Sequence, residues 1–302
     1  MISEHWSYNF LKQNISSISS LQGGMQHYLD LIELADSTKW VCKKFANQTW
    51  LGEITYQQLW ISEKIANLVA DELSLTYKAL CPENDSPILK LKEGYGLIRP
   101  FCVGKTSPTV TIDQAQLLGK VLAHIHALNI SDINALPFPS INWPQEFNCP
   151  PWLQAVIQEC NEIAPTETWI ISHRDIHASN LVWQNPDTVH LIDWESAGLI
   201  HPGIELIGLA CNCAGLTRGY FLDHLFVAVL QGYRQVRAAI PMIPEGYWVL
   251  IWQSWLLWYL YVIQKNFKQE ILATEAILHL LKVKQPILQA IYKQQLKCEA
   301  KA

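Results

Sequence analysis

The sequence predicts an α+β chain of two lobes, a small β-rich one over residues 1–102 and a larger, mostly helical one over residues 103–302. Three observations predict it. Short extended runs parted by turn residues crowd the first hundred positions. Apolar residues recur at helical spacing through most of the remainder. The stretch "RPFCVG", residues 99–104, lies where one pattern gives way to the other and reads as a hinge. Half of the 302 residues are hydrophobic and only 16% are charged, which supplies a core and excludes a disordered chain.

Each element follows from local pattern. Gln26–Ala35 and Lys39–Ala46 are extended runs around the polar turn Asp36-Ser37-Thr38, a hairpin signal. From Thr55 to about Leu80, Leu59, Ile61, Ile65, Leu68, Val69 and Leu73 recur at helical spacing. "PILKLKEG" and "YGLIRPFCVG" read as two more strands, after the turn-rich "CPENDSP" and with Gly94 and Gly96 near their junction. Asp113 is placed to cap a helix running through His126, with Ala115, Leu118, Val121, Leu122 and Ile125 on one face. A Pro-rich loop, "LPFPSINWPQ", leads to a short helix around Trp152–Ile163. Two strands follow, "ETWIISH" and "TVHLI", and beyond Pro202 the chain is mostly helical. Tyr247–Lys265 reads as one buried helix, because Gln253 and Ser254 split it into apolar runs shorter than the ~20 residues a membrane span needs.

Composition excludes several classes of function. The net charge of −5, with no basic run longer than Lys43–Lys44, leaves nucleic-acid binding without electrostatic support. The eight cysteines contain no C-x-x-C, and Cys211 and Cys213 are spaced for neither a zinc site nor an easy disulfide. They are expected to be reduced and mostly buried, as in a cytoplasmic protein. No basic region followed by an apolar run opens the chain, so neither a signal peptide nor a membrane anchor is expected. His124 and His126 would point about 200° apart on a helix, too far to share a metal, and His126 is expected to be buried or capping.

The chemistry gathers in "ISHRDIHASNLVWQNPDTVHLIDWES", residues 171–196. Asp175 and Asn180 fall in the loop leaving one strand, and Asp193 closes the next. A hairpin of those two strands would bring all three to one edge. Asn180 and Asp193 are oxygen ligands suited to magnesium, which keeps room for phosphate oxygens and water. Asp175 is then free to align an acceptor hydroxyl and take its proton during phosphoryl transfer.

"HRDIHASN" resembles the H-x-D-x-x-x-x-N loop of eukaryotic-like kinases, and "LIDWE" resembles the metal segment of the aminoglycoside phosphotransferase and choline kinase superfamily. The blocks "DIHASNLV", "LIDWESAG" and "IELIGLA" look most like bacterial thiamine kinases, with choline kinases next; Asp193-Trp194-Glu195 in place of D-F-G makes a protein kinase the weaker match. The resemblance implies a bilobal protein-kinase-like fold that uses ATP and Mg2+. It implies Asp175 as the catalytic carboxylate, Asn180 and Asp193 as metal ligands, and His173 as a packing residue. It assigns Arg174 no role beyond a solvated or salt-bridged charge. It aligns Lys43 with the lysine that contacts the nucleotide phosphates, while a slip of one residue would select Lys44. Glu63 stands where the family has the glutamate that pairs with that lysine, with Glu53 and Glu72 as competitors. Gly23 and Gly24 suit close approach of backbone to phosphate, and Phe101 and Val103 lie where hinge backbone would meet adenine.

The acceptor is expected to be a small cationic alcohol, thiamine-like or choline-like. Trp252, Trp255 and Tyr259 fall on one face of the predicted helix, and Trp255 and Trp258 have the Trp-x-x-Trp spacing of choline kinases. Such rings bind cations, with up to ~2 kcal/mol for a desolvated contact. Glu195 and Glu205 follow the metal segment as further acceptor-site candidates, Glu205 more as a structural carboxylate. His201 replaces the first Asp of the family's D-P-x-x-D-L-A block. An aminoglycoside acceptor and a non-catalytic kinase-like binding protein are the alternatives.

Overall fold

The computed structural model describes residues 5–21, 25–82 and 86–297. Gly23 and Gly24 therefore lie outside the described residues. A one-turn helix, α1 (Tyr8–Leu11), precedes the strands β1 (Ile15–Ser20), β2 (Tyr28–Leu34) and β3 (Lys39–Lys44). A minimal hairpin, β4 (Gln48–Thr49) and β5 (Gly52–Glu53), leads to helix α2 (Tyr56–Leu73), and β6 (Leu89–Lys90) and β7 (Tyr95–Pro100) complete the lobe. Five of these strands form one antiparallel sheet in the order β1-β2-β3-β7-β6. Its two faces bury different sets: Ile32, Leu34, Cys42 and Ile98 on one side, Phe45 and Leu97 with Leu59 of α2 on the other. Alternation along β3 decides the lysines. Lys43 is buried, whereas Lys44 extends to Glu93, 3.8 Å away at the surface.

Thr55 opens α2 with a capping box: its hydroxyl accepts the Gln58 N–H and the Gln58 side chain accepts the Thr55 N–H. The helix ends at Leu73, short of Leu80, where Ser74 turns left-handed at φ 55°. Ile61, Ile65, Ala66 and Val69 of α2 pack into the core of the larger lobe, and Leu68 is exposed.

That lobe begins with α3 (Ile112–Ala127), whose cap is Thr111, in a second capping box with Gln114. Asp113 sits instead in the first turn, where its charge complements the helix dipole. Next come α4 (Pro151–Glu162), β8 (Ile170–Ser172), β9 (Leu181–Asn185), β10 (Thr188–Leu191) and β11 (Gly198–Ile200). The helices α5 (Pro202–Cys213), α6 (Asp223–Arg237), α7 (Gln253–Gln264) and α8 (Lys268–Lys297) finish the chain. α3 and α6 cross at backbone contact. A Cβ on Gly119 would lie 2.1 Å from the Val229 carbonyl oxygen, and one on Gly232 would lie 1.9 Å from that of Gln116.

The segment expected as one helix over Tyr247–Lys265 is two elements: a 3-10 stretch, Glu245–Trp252, and then α7. Trp252 closes the 3-10 stretch and is buried, whereas Trp255 and Tyr259 belong to α7 and are half-buried. Among the described residues no helix is long and apolar enough to cross a membrane. The seven described cysteines are free, five of them buried and Cys81 exposed.

Candidate active site

Residues 171–196 do not fold as one hairpin of the two predicted strands. β8 pairs with β11, Ser172 opposite Gly198, while β9 and β10 pair with each other. Asp175 and Asn180 lie between β8 and β9, and Asp193 follows β10 in a left-handed conformation, φ 62°. His173 ties the two segments together. Its Nε2 donates to the Ile192 carbonyl at 3.0 Å, its Nδ1 accepts the Asp175 N–H at 3.2 Å, and Trp194 packs on the ring at 4.5 Å. These contacts hold the two segments against each other.

Around Asp175 the polar groups form a chain. Asn180 Nδ2 donates to the Asp175 carbonyl at 2.9 Å and lies 3.5 Å from Asp175 Oδ2. His177, which sequence reasoning passed over, lies 3.6 Å from Asp175 Oδ1 and 3.2 Å from Asn180 Nδ2. Burial pushes the Asp175 carboxyl up, but the charges and hydrogen bond of His177, with His173, outweigh it and hold the group below its ordinary range. Asp175 is therefore an ionised acceptor at neutral pH.

Lys43 reaches across from the sheet to Asp193 Oδ1 at 2.8 Å and Glu195 Oε1 at 2.6 Å. Burial disfavours its charge, but the two carboxylates reverse that and push its pKa above the ordinary lysine value. Glu195 is held well below its usual range by the same contacts and by His27, against the effect of its own burial. The expected pairing with Glu63 does not form. Glu63 is bound to Arg99 of β7, which also bonds Thr76 Oγ1 at 3.3 Å. A planar guanidinium one strand away takes the buried carboxylate. Glu195, expected near the acceptor, sits instead on the lysine. At residues 99–104, the Phe101 N–H donates to the Lys39 carbonyl at 2.9 Å, and Val103 is largely exposed. Neither side chain lines the cleft.

Arg174 is half-buried and forms no ion pair among the described residues. Its guanidinium donates to the carbonyls of Ser196, Leu136 and Leu199 and stacks 4.4 Å over Phe138. Glu205 anchors the same loop from beneath: Oε1 accepts the Arg174 N–H at 2.6 Å, and Oε2 contacts His126 Nε2 at 2.8 Å. Tyr233 holds the other ring nitrogen of His126 at 2.9 Å. Glu205 thus anchors the loop through both of its oxygens.

Arg174, His177, Glu195 and Glu205 border one cleft of about 1200 Å3 between the lobes. Lys43, Asp175, Asn180 and Asp193 lie along its wall, and it continues to Trp255, Trp258, Glu270 and Leu281. Residues 99–240 match the model of the phosphotransferase enzyme family. The match covers slightly less than half of the chain, most of it in the helical lobe. Solved structures share its fold. The choline kinase of Streptococcus pneumoniae is 15% identical, with 90% of this chain and 96% of that one covered and a TM-score of 0.62. The ethanolamine kinase of Plasmodium vivax is 13% identical, covering 91% and 83%, with a TM-score of 0.61. An amicoumacin kinase, solved with AMP-PNP and Ca2+, is 11% identical, covering 90% and 93%, at 0.64. No curated protein matches the chain in sequence.

The far end of the cleft is mostly apolar. Trp255 and Trp258 border it, but Trp252 does not: it is buried and donates to Gln285 at 3.0 Å. Tyr259 is likewise engaged, bonding Glu275 at 2.6 Å. For a metal, the amide nitrogen of Asn180 is committed, which leaves its Oδ1 without a protein donor among the described residues. Asp193 adds carboxylate oxygen. Two hard oxygen donors fit magnesium completed by phosphate and water, and among the described residues no cluster of three His, Cys, Asp or Glu offers a softer site.

Proposed function

We propose that this kinase transfers the γ-phosphoryl group of ATP to the hydroxyl of a small, singly cationic alcohol of the thiamine or choline type. In this reading residues 1–102 form the nucleotide lobe and residues 103–302 the catalytic and acceptor lobe. One observation carries it: Asp175, Asn180, Asp193 and Lys43 line the same cleft that ends at Trp255, Trp258 and Glu270. Asp175, ionised, accepts a hydrogen bond from the acceptor hydroxyl and receives its proton as the new P–O bond forms. Lys43 offsets charge that develops on the nucleotide phosphates. Magnesium held by Asn180 and Asp193 would neutralise phosphate oxygens.

The acceptor class follows from what borders the far end. Two indole rings and a lone carboxylate among aliphatic side chains suit one desolvated cation with an apolar body. A polycationic aminoglycoside would leave most of its charges unpaired there. The free thiols are consistent with a cytoplasmic setting. ADP release, followed with ATP, magnesium and thiamine, choline, ethanolamine or kanamycin, tests the proposal. Turnover is expected with a monocationic alcohol. Turnover with kanamycin alone would assign an antibiotic phosphotransferase, and silence without nucleotide binding would assign a binding protein.

A further inference from the structure

Two donors of the sheet converge on one oxygen. Lys43 Nζ lies 2.6 Å from Glu195 Oε1, and His27 Nε2 lies 3.0 Å from the same atom. His27 directly precedes β2, and Lys43 stands opposite Leu29 on β3, so neighbouring strands carry the two groups. The other ring nitrogen of His27, Nδ1, accepts the Ala46 N–H at 3.2 Å, which leaves the ring hydrogen on Nε2. Phe45 meets the ring edge-on at 5.3 Å and steadies its plane. The side chain is only 6% exposed. Nε2 is sealed from water, yet its N–H stands off the line to Oε1, so a buried donor aimed into the cleft lacks a well-formed hydrogen bond.

The geometry of the acceptor explains the misalignment. Glu195 rides on a single rigid 3-10 turn, Trp194–Ser196, and shows one oxygen to both donors. That oxygen forms a hydrogen bond with Lys43, whereas the His27 N–H at 3.0 Å does not meet hydrogen-bond geometry. A phosphate group is also anionic but presents several oxygens around a tetrahedron, so each donor can take its own. We propose that His27 is the second donor of a polyphosphate cradle, with Glu195 Oε1 holding the place of a phosphate oxygen until nucleotide binds. The proposal rests on the nucleotide site argued above and adds to it a residue outside the kinase motifs.

Calorimetric titration of the full chain with adenosine, ADP and ATP, in magnesium, tests it. His27→Phe keeps a ring against Phe45 and removes the donor; His27→Leu replaces it should the Phe variant not fold; His27→Gln restores an N–H. Loss of one hydrogen bond to a charged group predicts about tenfold weaker ADP and ATP binding in the Phe or Leu variant. Adenosine affinity stays within about twofold by the same reasoning, and Gln recovers part of the loss. A donorless variant that keeps its ADP affinity overturns the cradle. So does equal loss for adenosine and ADP, which marks a merely structural ring. Wild-type protein that binds adenosine with no gain from phosphates also overturns the cradle alone, whereas failure to bind any of the three ligands overturns the nucleotide reading together with it.

Discussion

At Asp175, burial raises the carboxyl pKa, but His177 and His173 outweigh it and hold the group below its ordinary range. Under the proposed function, such a carboxylate is a weak base that orients the hydroxyl and takes the proton late. Asp175→Asn is therefore expected to lower kcat by about 10²- to 10⁴-fold while ATP affinity changes little; rapid-quench kinetics with a separate nucleotide titration checks both. A variant with near-normal turnover would remove Asp175 from the reaction. Glu63 poses a different question. Bound to Arg99 and buried, it belongs to the lobe's framework, so Arg99→Leu should cost about 3–5 kcal/mol in urea unfolding by stranding a charge. The double change with Glu63→Leu should recover most of that. That Asp175, Asn180 and Asp193 meet along one cleft was legible in the sequence, because the proposed phosphoryl transfer needs those groups together. The partner of Lys43 was not, since nothing in a helix pattern tells Glu63 that an arginine on β7 will reach it first. His27 left no motif at all; only its distance to Glu195 marks it.

Elements carry the site through their ends and crossings. α5 starts beneath the catalytic loop, capped by His201, whose Nδ1 accepts the Gly203 N–H at 3.2 Å. A neutral imidazole here does the work of the aspartate expected at this position. Burial lowers the His201 pKa to about 4 from the ordinary 6.5, and His126 nearby adds to the shift. Below 6.5 the unfolded chain takes up a proton that the folded chain refuses until about pH 4, so stability falls with acid across that window. His201→Asn keeps an accepting oxygen and removes the titration. Its unfolding free energy, measured from pH 7 to 4, should fall less steeply than that of the wild type, and parallel curves would exclude His201 as the source. The crossing of α3 and α6 fixes Glu205 against His126 and Tyr233 from behind. Gly119→Ala would drive a methyl group into the Val229 carbonyl and should destabilise by several times the ~1 kcal/mol that the change stabilises in an open helix. The helices themselves were readable from apolar period. The pairing of β8 with β11 was not, because three-residue strands carry too little alternation to name a partner.

At the scale of the molecule, the two lobes meet through charges as well as through the α2 core. Lys43 spans from β3 to Asp193 and Glu195, and the Leu191 N–H bonds the Leu75 carbonyl at 2.7 Å. A bilobal architecture was legible from the change of pattern near residue 100, but this contact was not, since it joins residues 150 apart. Its consequence concerns how nucleotide stabilises the chain. Phosphates that draw Lys43 away from Glu195 replace one inter-lobe anchor with another, so binding should tighten both lobes at once. Saturation at a hundredfold over Kd stabilises the folded form by about 2.7 kcal/mol, which should appear as a rise of several degrees in a single thermal transition. Lys43→Met removes the cation common to both anchors. The variant should melt lower without ligand, because Asp193 and Glu195 then face each other uncompensated, and ATP should move its transition little. Two separate transitions, or an ATP shift undiminished by Lys43→Met, would show that the lobes are stabilised independently of this lysine.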